Sequence, residues 1–336
     1  MRVESRGPAI EAQGVSKRYS SAASEDRPAL DGFDLSVPAG SVHGLLGQNG
    51  AGKTTALRIM STLLDLDEGE VRIAGYDVVR QGRQVRQHIG LVGQYAAVDE
   101  ELSGKQNLVM FGRLSRLSPR KARSRAGELL EQFGLADTGS KRVSAYSGGM
   151  RRRLDLAAAL IITPQVLFVD EPTTGLDPSG RRDVWDAIRA LVRSGTTVLL
   201  TTQYLEEADQ LADRISLLAH GRVVAGGTPG ELKADIGDDW LELNPRVQAD
   251  TQKIKDLVAP FTSGEIHEVN GRLQVPVIDR AASLLGVAVA LRDADIALDD
   301  LTIRTPSLDE VFIHLTGTIG PDEATHHSDE TAGAPA

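Results

Sequence analysis

Cysteine is absent from all 336 residues. Disulfides and thiolate metal sites are thereby excluded, and the composition suits a reducing cytoplasm. Long apolar runs are missing as well. The most extended helix-like apolar patch, Leu156–Ile162, falls far short of the roughly 18 residues a membrane helix needs. The opening residues MRVESRGPAIEA lack the apolar centre of a secretory signal. Positive charge is also in deficit. Lys and Arg number 37 against 47 Asp and Glu, a net charge of −10, which argues against general affinity for nucleic acid or an anionic membrane. Any membrane role must therefore come through a partner. No fixed-period repeat is found.

What remains is ordinary for a globular chain: 41% hydrophobic, 25% charged, and somewhat rich in glycine at 34 residues. The length suggests about two domains. One stretch organises the rest. Gly47-Gln48-Asn49-Gly50-Ala51-Gly52-Lys53-Thr54 fits the phosphate-loop pattern G-x-x-x-x-G-K-[ST] and is followed by Thr55. Ser41–Leu46 reads as a buried strand, and Leu57, Met60, Leu63 and Leu64 repeat at helical spacing over Thr54–Leu64. Strand, glycine-rich turn and helix thus occur in the order that anion binding needs. The glycines let successive N–H groups turn inward, and the helix N-terminus adds partial positive charge. Lys53 is expected to reach terminal phosphates, and the Thr54 hydroxyl to ligand Mg²⁺.

Further strands are expected at Phe33–Val37, Glu70–Ala74, Ile89–Val92, Val166–Val169 and Thr197–Thr201, with a hairpin of Arg214–Ala219 and Arg222–Ala225 about His220-Gly221. A helix is expected over Ser179–Arg193. From about 99 to 164 the texture is helical, and eleven Lys and Arg lie between Arg113 and Arg153. That basic stretch reads equally as a solvated helix surface or a docking face. Alternating strands and helices predict an α/β P-loop (RecA-like) core with an antiparallel portion near the start and a helical insertion. Beyond 237, Trp240–Leu243, Glu268–Val277 and Ala297–Arg304 read as strands, and Arg280–Ala290 and Ser307–Leu315 as helices. The expected organisation is a nucleotide-binding domain over 1–236, a small α+β accessory domain over 237–317 and a disordered tail over 318–336. In that tail His326-His327 reads better as solvated than as a metal site.

Two later motifs add chemistry. Val166–Val169 ends in Asp170-Glu171: the first carboxylate is placed to hold Mg²⁺ and the second to polarise an attacking water. Tyr146-Ser147-Gly148-Gly149-Met150 opens the helix Arg151–Ile162, a second candidate anion-binding end, or simply an N-cap turn. Together the motifs resemble the ATP-binding subunits of ABC transporters over about Ile10–Leu232. The resemblance implies ATP and Mg²⁺ as ligands. It implies that Tyr19 stacks on adenine, that Gln94 senses the γ-phosphate, Mg²⁺ and the membrane partner, and that Ser147-Gly148-Gly149 is the signature motif. It also implies that Asp177, in Gly175-Leu176-Asp177-Pro178, communicates across a dimer. Two copies are expected to pair head to tail around ATP, on the cytoplasmic side of a separate integral-membrane permease. One position departs from the family. Gln203 stands where most members carry histidine in the switch segment; it can still donate to a γ-phosphate oxygen but cannot carry charge.

That glutamine, Thr201-Thr202, and the segment Pro306–Phe312 are similar to the daunorubicin-resistance-type exporter ATPases. The implied function is ATP hydrolysis driving export of a hydrophobic drug-like molecule. The alternative is a soluble ABC protein acting on ribosomes or DNA, or a regulatory switch. The chain shows neither the tandem cassettes nor the coiled-coil insertion usual in the ribosome or DNA class, and its intact Lys53, Asp170 and Glu171 speak against a non-hydrolysing switch. Leu308, Val311, Phe312 and Leu315 share one helical face, which serves either the accessory domain's own core or assembly.

Overall fold

The computed structural model describes residues 7–19, 28–94, 96–234, 239–269 and 271–316, without the side chains of residues 248 and 314–316. The expected tail over 318–336, with its two histidines, lies outside the described residues. The chain divides into two compact units, 1–232 and 233–336.

The first unit opens with β1 (Ile10–Lys17) and β2 (Leu30–Val37). Then β3 (Val42–Leu46), buried along its whole length, feeds the glycine-rich loop and α1 (Lys53–Met60). This helix ends earlier than its apolar spacing predicts, because Thr62 adopts a left-handed φ of 63° and Leu63 turns out to solvent. Next, β4 (Glu68–Ile73) and β5 (Tyr76–Asp77) complete an antiparallel sheet of order β2-β1-β4-β5. A short α2 (Gly82–His88) leads to β6 (Ile89–Val92).

The helical insertion comprises α3 (Gly104–Leu114), α4 (Pro119–Gln132) and α5 (Gly148–Ala159). Each start is written in the sequence: a Ser103/Gln106 capping box, Ser118 followed by Pro119, and Ser147 accepting from the Met150 amide. The chain continues through β7 (Val166–Asp170), α6 (Pro178–Arg193), β8 (Thr197–Thr202), α7 (Leu205–Leu211), β9 (Arg214–Ala219), β10 (Arg222–Gly227) and α8 (Pro229–Ala234).

The central sheet has the order β10-β9-β3-β8-β7-β6 and is parallel except for β10. Both of its faces are covered. Along β7, Val166 and Phe168 pack in the core that includes Ala56, Leu57 and Met60 of α1, while Leu167 and Val169 pack with Leu154, Ile188 and Leu191 of the helical side. Two-sided burial explains why this strand is a continuous apolar run. Each such fully buried side chain contributes about 1.5–3 kcal/mol.

The second unit holds β11 (Asp239–Pro245), α9 (Thr251–Val258), β12 (His267–Val269), β13 (Arg272–Val277), α10 (Arg280–Asp293), β14 (Leu298–Arg304) and α11 (Leu308–Thr316). Its antiparallel sheet has the order β12-β13-β11-β14, around a separate core that includes Leu241, Ile254, Val275 and Val287. The stretch Glu268–Val277, expected as one strand, is two: Val269 pairs with Arg272, and Gly271 supplies a φ of 78°. On α11, Leu308 and Val311 are buried and Phe312 is half-buried, while the Leu315 side chain is outside the described residues.

On β3, His43 is 3% exposed; its Nε2 is 2.9 Å from Ser216 Oγ, and Nδ1 has no partner. Burial, and then the charge of Arg214 across the ladder, push its pKa from 6.5 down to about 4. Below pH 6.5 the unfolded chain gains a proton here that the folded chain refuses. Stability therefore falls as pH drops from 6.5 towards 4, by up to about 3 kcal/mol from this residue. In His43→Gln the loss of melting temperature between pH 7 and pH 5 should shrink; an unchanged loss would clear His43 of this role.

Candidate active site

Four strand ends, of β3, β6, β7 and β8, build the site. Gly47 follows β3 directly, and an added Cβ there would lie 2.4 Å from the Leu218 carbonyl oxygen. Gly52 adopts a φ of 109°, and a Cβ there would meet the Ala29 carbonyl oxygen at 2.4 Å. Neither position accepts a side chain, so the loop is pressed against β9 and the start of β2. Lys53, 5% exposed, donates to the carbonyls of Gly47 at 2.5 Å and Gln48 at 3.0 Å. Burial lowers its pKa, opposed by the nearby carboxylates of Glu171 and Asp170. The ammonium is thus held over the loop at a net electrostatic cost.

Asp170 ends β7 in a buried position. Its Oδ1 accepts from the Thr201 hydroxyl and its Oδ2 from Thr54 Oγ1 over 3.4 Å. Thr54 and Asp170 therefore present two hard oxygens side by side, the donor type a Mg²⁺ ion takes from protein. Glu171 follows with a left-handed φ of 43°, a conformation that costs a glutamate about 1–2 kcal/mol. Its Oε2 accepts long hydrogen bonds of 3.4 Å from Gln94 Nε2 and from Thr174 Oγ1. Tyr19, 48% exposed, places its hydroxyl 3.3 Å from Thr55 Oγ1, so an aromatic face stands beside the loop. Gln203 is exposed immediately beyond β8.

The Ser147-Gly148-Gly149 turn is differently placed. Gly148 shares a cleft of about 170 Å³ with Gln94, Glu171 and Leu176, whose lining does not include Lys53 or the loop glycines. Asp177 is exposed and caps α6, accepting from the Gly180 amide at 3.2 Å. Two further groups were invisible in the sequence. Arg152, 6% exposed, is the middle of the three arginines that close the basic run, yet points inward and pairs with buried Asp155 at 3.4 Å. Glu207 is buried beneath Gln203's segment, accepts from Trp185 Nε1 at 3.3 Å, and is pushed up in pKa by that burial.

The ABC transporter family model matches residues 30–174, which hold both the loop and the carboxylate pair. The daunorubicin resistance ATP-binding protein DrrA3 of Streptomyces coeruleorubidus is 57% identical over 309 residues, 92% of this chain and 96% of that protein. The chain belongs to the daunorubicin-resistance group of ABC ATPases. The daunorubicin/doxorubicin resistance ATP-binding protein DrrA of Streptomyces peucetius is 46% identical, with 96% of each chain covered. Among solved structures, a dimeric ATP-binding cassette in a post-hydrolysis state with ADP and Pi aligns with a TM-score of 0.59 at 26% identity. It covers 65% of this chain and 98% of its own. This ABC ATPase binds and hydrolyses ATP, and among its described residues no helix is long and apolar enough to cross a membrane.

The strained electrostatics of Lys53 give a prediction of two opposite signs. Lys53→Met should leave the melting temperature of the nucleotide-free ATPase unchanged or higher, because a poorly solvated charge is removed. It should weaken ATP binding by roughly 10- to 150-fold, the value of a charged hydrogen bond. Titration with a fluorescent ATP analogue, beside thermal melting, measures both.

Proposed function

We propose that this ABC ATPase powers export of a hydrophobic drug-like molecule through a separate membrane permease, docked at the cytoplasmic face. The observation carrying the catalytic part is the meeting of Thr54, Asp170, Glu171 and Gln94 beside Lys53. The export part rests on the daunorubicin-resistance relatives, together with the lack of a membrane-crossing helix among the described residues. A regulatory or ribosome-bound role is disfavoured by the same carboxylate pair and by those relatives. In this reading residues 1–236 are the nucleotide-binding domain and 237–317 an accessory domain serving assembly.

In the proposed mechanism the loop amides and Lys53 hold the ATP phosphates, Lys53 exchanging the Gly47 and Gln48 carbonyls for phosphate oxygens. Tyr19 stacks on the adenine. Thr54 and Asp170, joined by Gln94, would hold Mg²⁺, which would supply positive charge against the charge developing on the phosphates. Glu171 accepts a hydrogen bond, then the proton, from the water attacking the γ-phosphorus; the bond to the bridging oxygen breaks and ADP leaves. Gln203 donates to a γ-phosphate oxygen. The Ser147–Gly149 turn of a second copy completes the site, as the resemblance to ABC transporter ATPases implies; within one chain Gly148 lines a cleft with Gln94 and Glu171 that takes in neither Lys53 nor the loop glycines. The dimeric cassette among the similar structures supports this arrangement, and Asp177, on the same loop as Gly175, is the candidate for communication across it.

Glu171→Gln should bind ATP normally, lose hydrolysis, and become dimeric when ATP and Mg²⁺ are added. Turnover near the parent rate would defeat Glu171 as the base. Constant mass by light scattering would defeat the paired assembly.

The glutamine at 203 predicts slow basal turnover with no rate-controlling group at this position titrating between about pH 6 and 7. Gln203→Ala should lower kcat by roughly five- to thirtyfold, corresponding to a lost hydrogen bond of about 1–2 kcal/mol in the transition state. Hydrolysis as fast as the parent would remove Gln203 from the site.

A further inference from the structure

We infer that Arg152 is a positioning residue that clamps the backbone on both sides of Glu171 and ties it to the Gln94 segment. The geometry is specific. Arg152 Nη2 donates to the Asp170 carbonyl at 3.0 Å and Nε to the Pro172 carbonyl at 2.9 Å, so one guanidinium brackets the left-handed Glu171. Nη1 donates to the Gly93 carbonyl at 2.6 Å, one residue before Gln94, and to Asp155 Oδ2 at 3.4 Å. Asp155 reaches past Gln94 from the other side, its Oδ1 accepting from the Ala97 amide at 2.9 Å. The Arg152–Asp155 pair therefore grips the chain before and after both Gln94 and Glu171.

A buried ion pair is not by itself a stabilising choice, since apolar residues of the same volume commonly do as well. What the guanidinium adds here is a rigid fork of directed donors, which a lysine or an apolar pair cannot reproduce. A glutamate held at positive φ relaxes when its flanking carbonyls are released, and its carboxylate then moves off the line of attack. Arg152 also stands on α5, the helix that the Ser147-Gly148-Gly149 turn opens.

This inference rests on the proposed roles of Glu171 and Gln94. Two variants of the full chain test it. Arg152→Lys keeps a charge for Asp155 but loses the fork; Arg152→Gln with Asp155→Asn removes both charges together. In each, kcat should fall about 10- to 100-fold, the cost of a misplaced reacting group. KM, the affinity for a fluorescent ATP analogue and the melting temperature should stay within twofold or a few degrees of the parent. Combined with Glu171→Gln, neither variant should lower the residual rate further, because both act through the same carboxylate. Parent-like kcat in Arg152→Lys overturns the clamp, as does a loss of affinity and melting temperature in step with kcat. If Glu171→Gln itself turns over normally, the reading of the base fails instead; if it is inactive while the Arg152 variants are not, only the clamp fails.

Discussion

The parallel register of three central strands fixes where chemistry can occur. Leu46 lies opposite Thr202, and Thr201 opposite Asp170, so β3, β8 and β7 run out at one level of the sheet. The residues that follow each end emerge together: the glycine-rich loop after Leu46, Gln203 after Thr202, Glu171 after Asp170. A slip of one residue in any ladder would turn a side chain of the candidate site into the core and a core side chain out. Burial on both faces forbids that slip, because Val166, Leu167, Phe168 and Val169 each fill a place on alternate sides. The apolar core therefore acts as the alignment device of the site, and the open end of a parallel sheet is where ligands bind in such folds.

Most of this was legible because local signals agree with the tertiary outcome. The loop pattern, the VLFV run ending in two carboxylates, and the Ser147 turn opening α5 each state their structure within a few residues, whereas the caps at Ser103 and Ser118 lay unread within a stretch of general helical texture. The misreadings have equally local causes. The apolar spacing of Thr54–Leu64 continues past the end of α1, but Thr62 breaks the backbone. The stretch Glu268–Val277 looks continuous until Gly271, with its positive φ, is weighed as a break. Tyr19 beside Thr55 could be placed only by family resemblance, since no periodicity connects positions so far apart in the chain.

Arg152 was illegible for a different reason. It is the middle of three consecutive arginines, and composition treats them alike. A helix separates successive residues by about 100°, so three neighbours cannot share one environment. Arg151 reaches Glu100 near the surface, Arg153 pairs with Asp183, and Arg152 turns into the sheet. A basic run is thus not one surface. Part of it is exposed charge, and part is internal scaffolding whose partners are backbone carbonyls that carry no sequence label.

The cramped glycines of the loop bear on how the chain is made. Gly47 packs on the carbonyl of Leu218, and Gly52 on Ala29 and Leu30; the Gly221 amide in turn bonds the Ala51 carbonyl at 3.0 Å. The backing of the glycine-rich loop thus comes from both ends of the first unit. A nascent chain that has released its loop and α1 still lacks the β9 support until residues near 221 have left the ribosome. The loop therefore takes its final shape only once most of the first unit has been made.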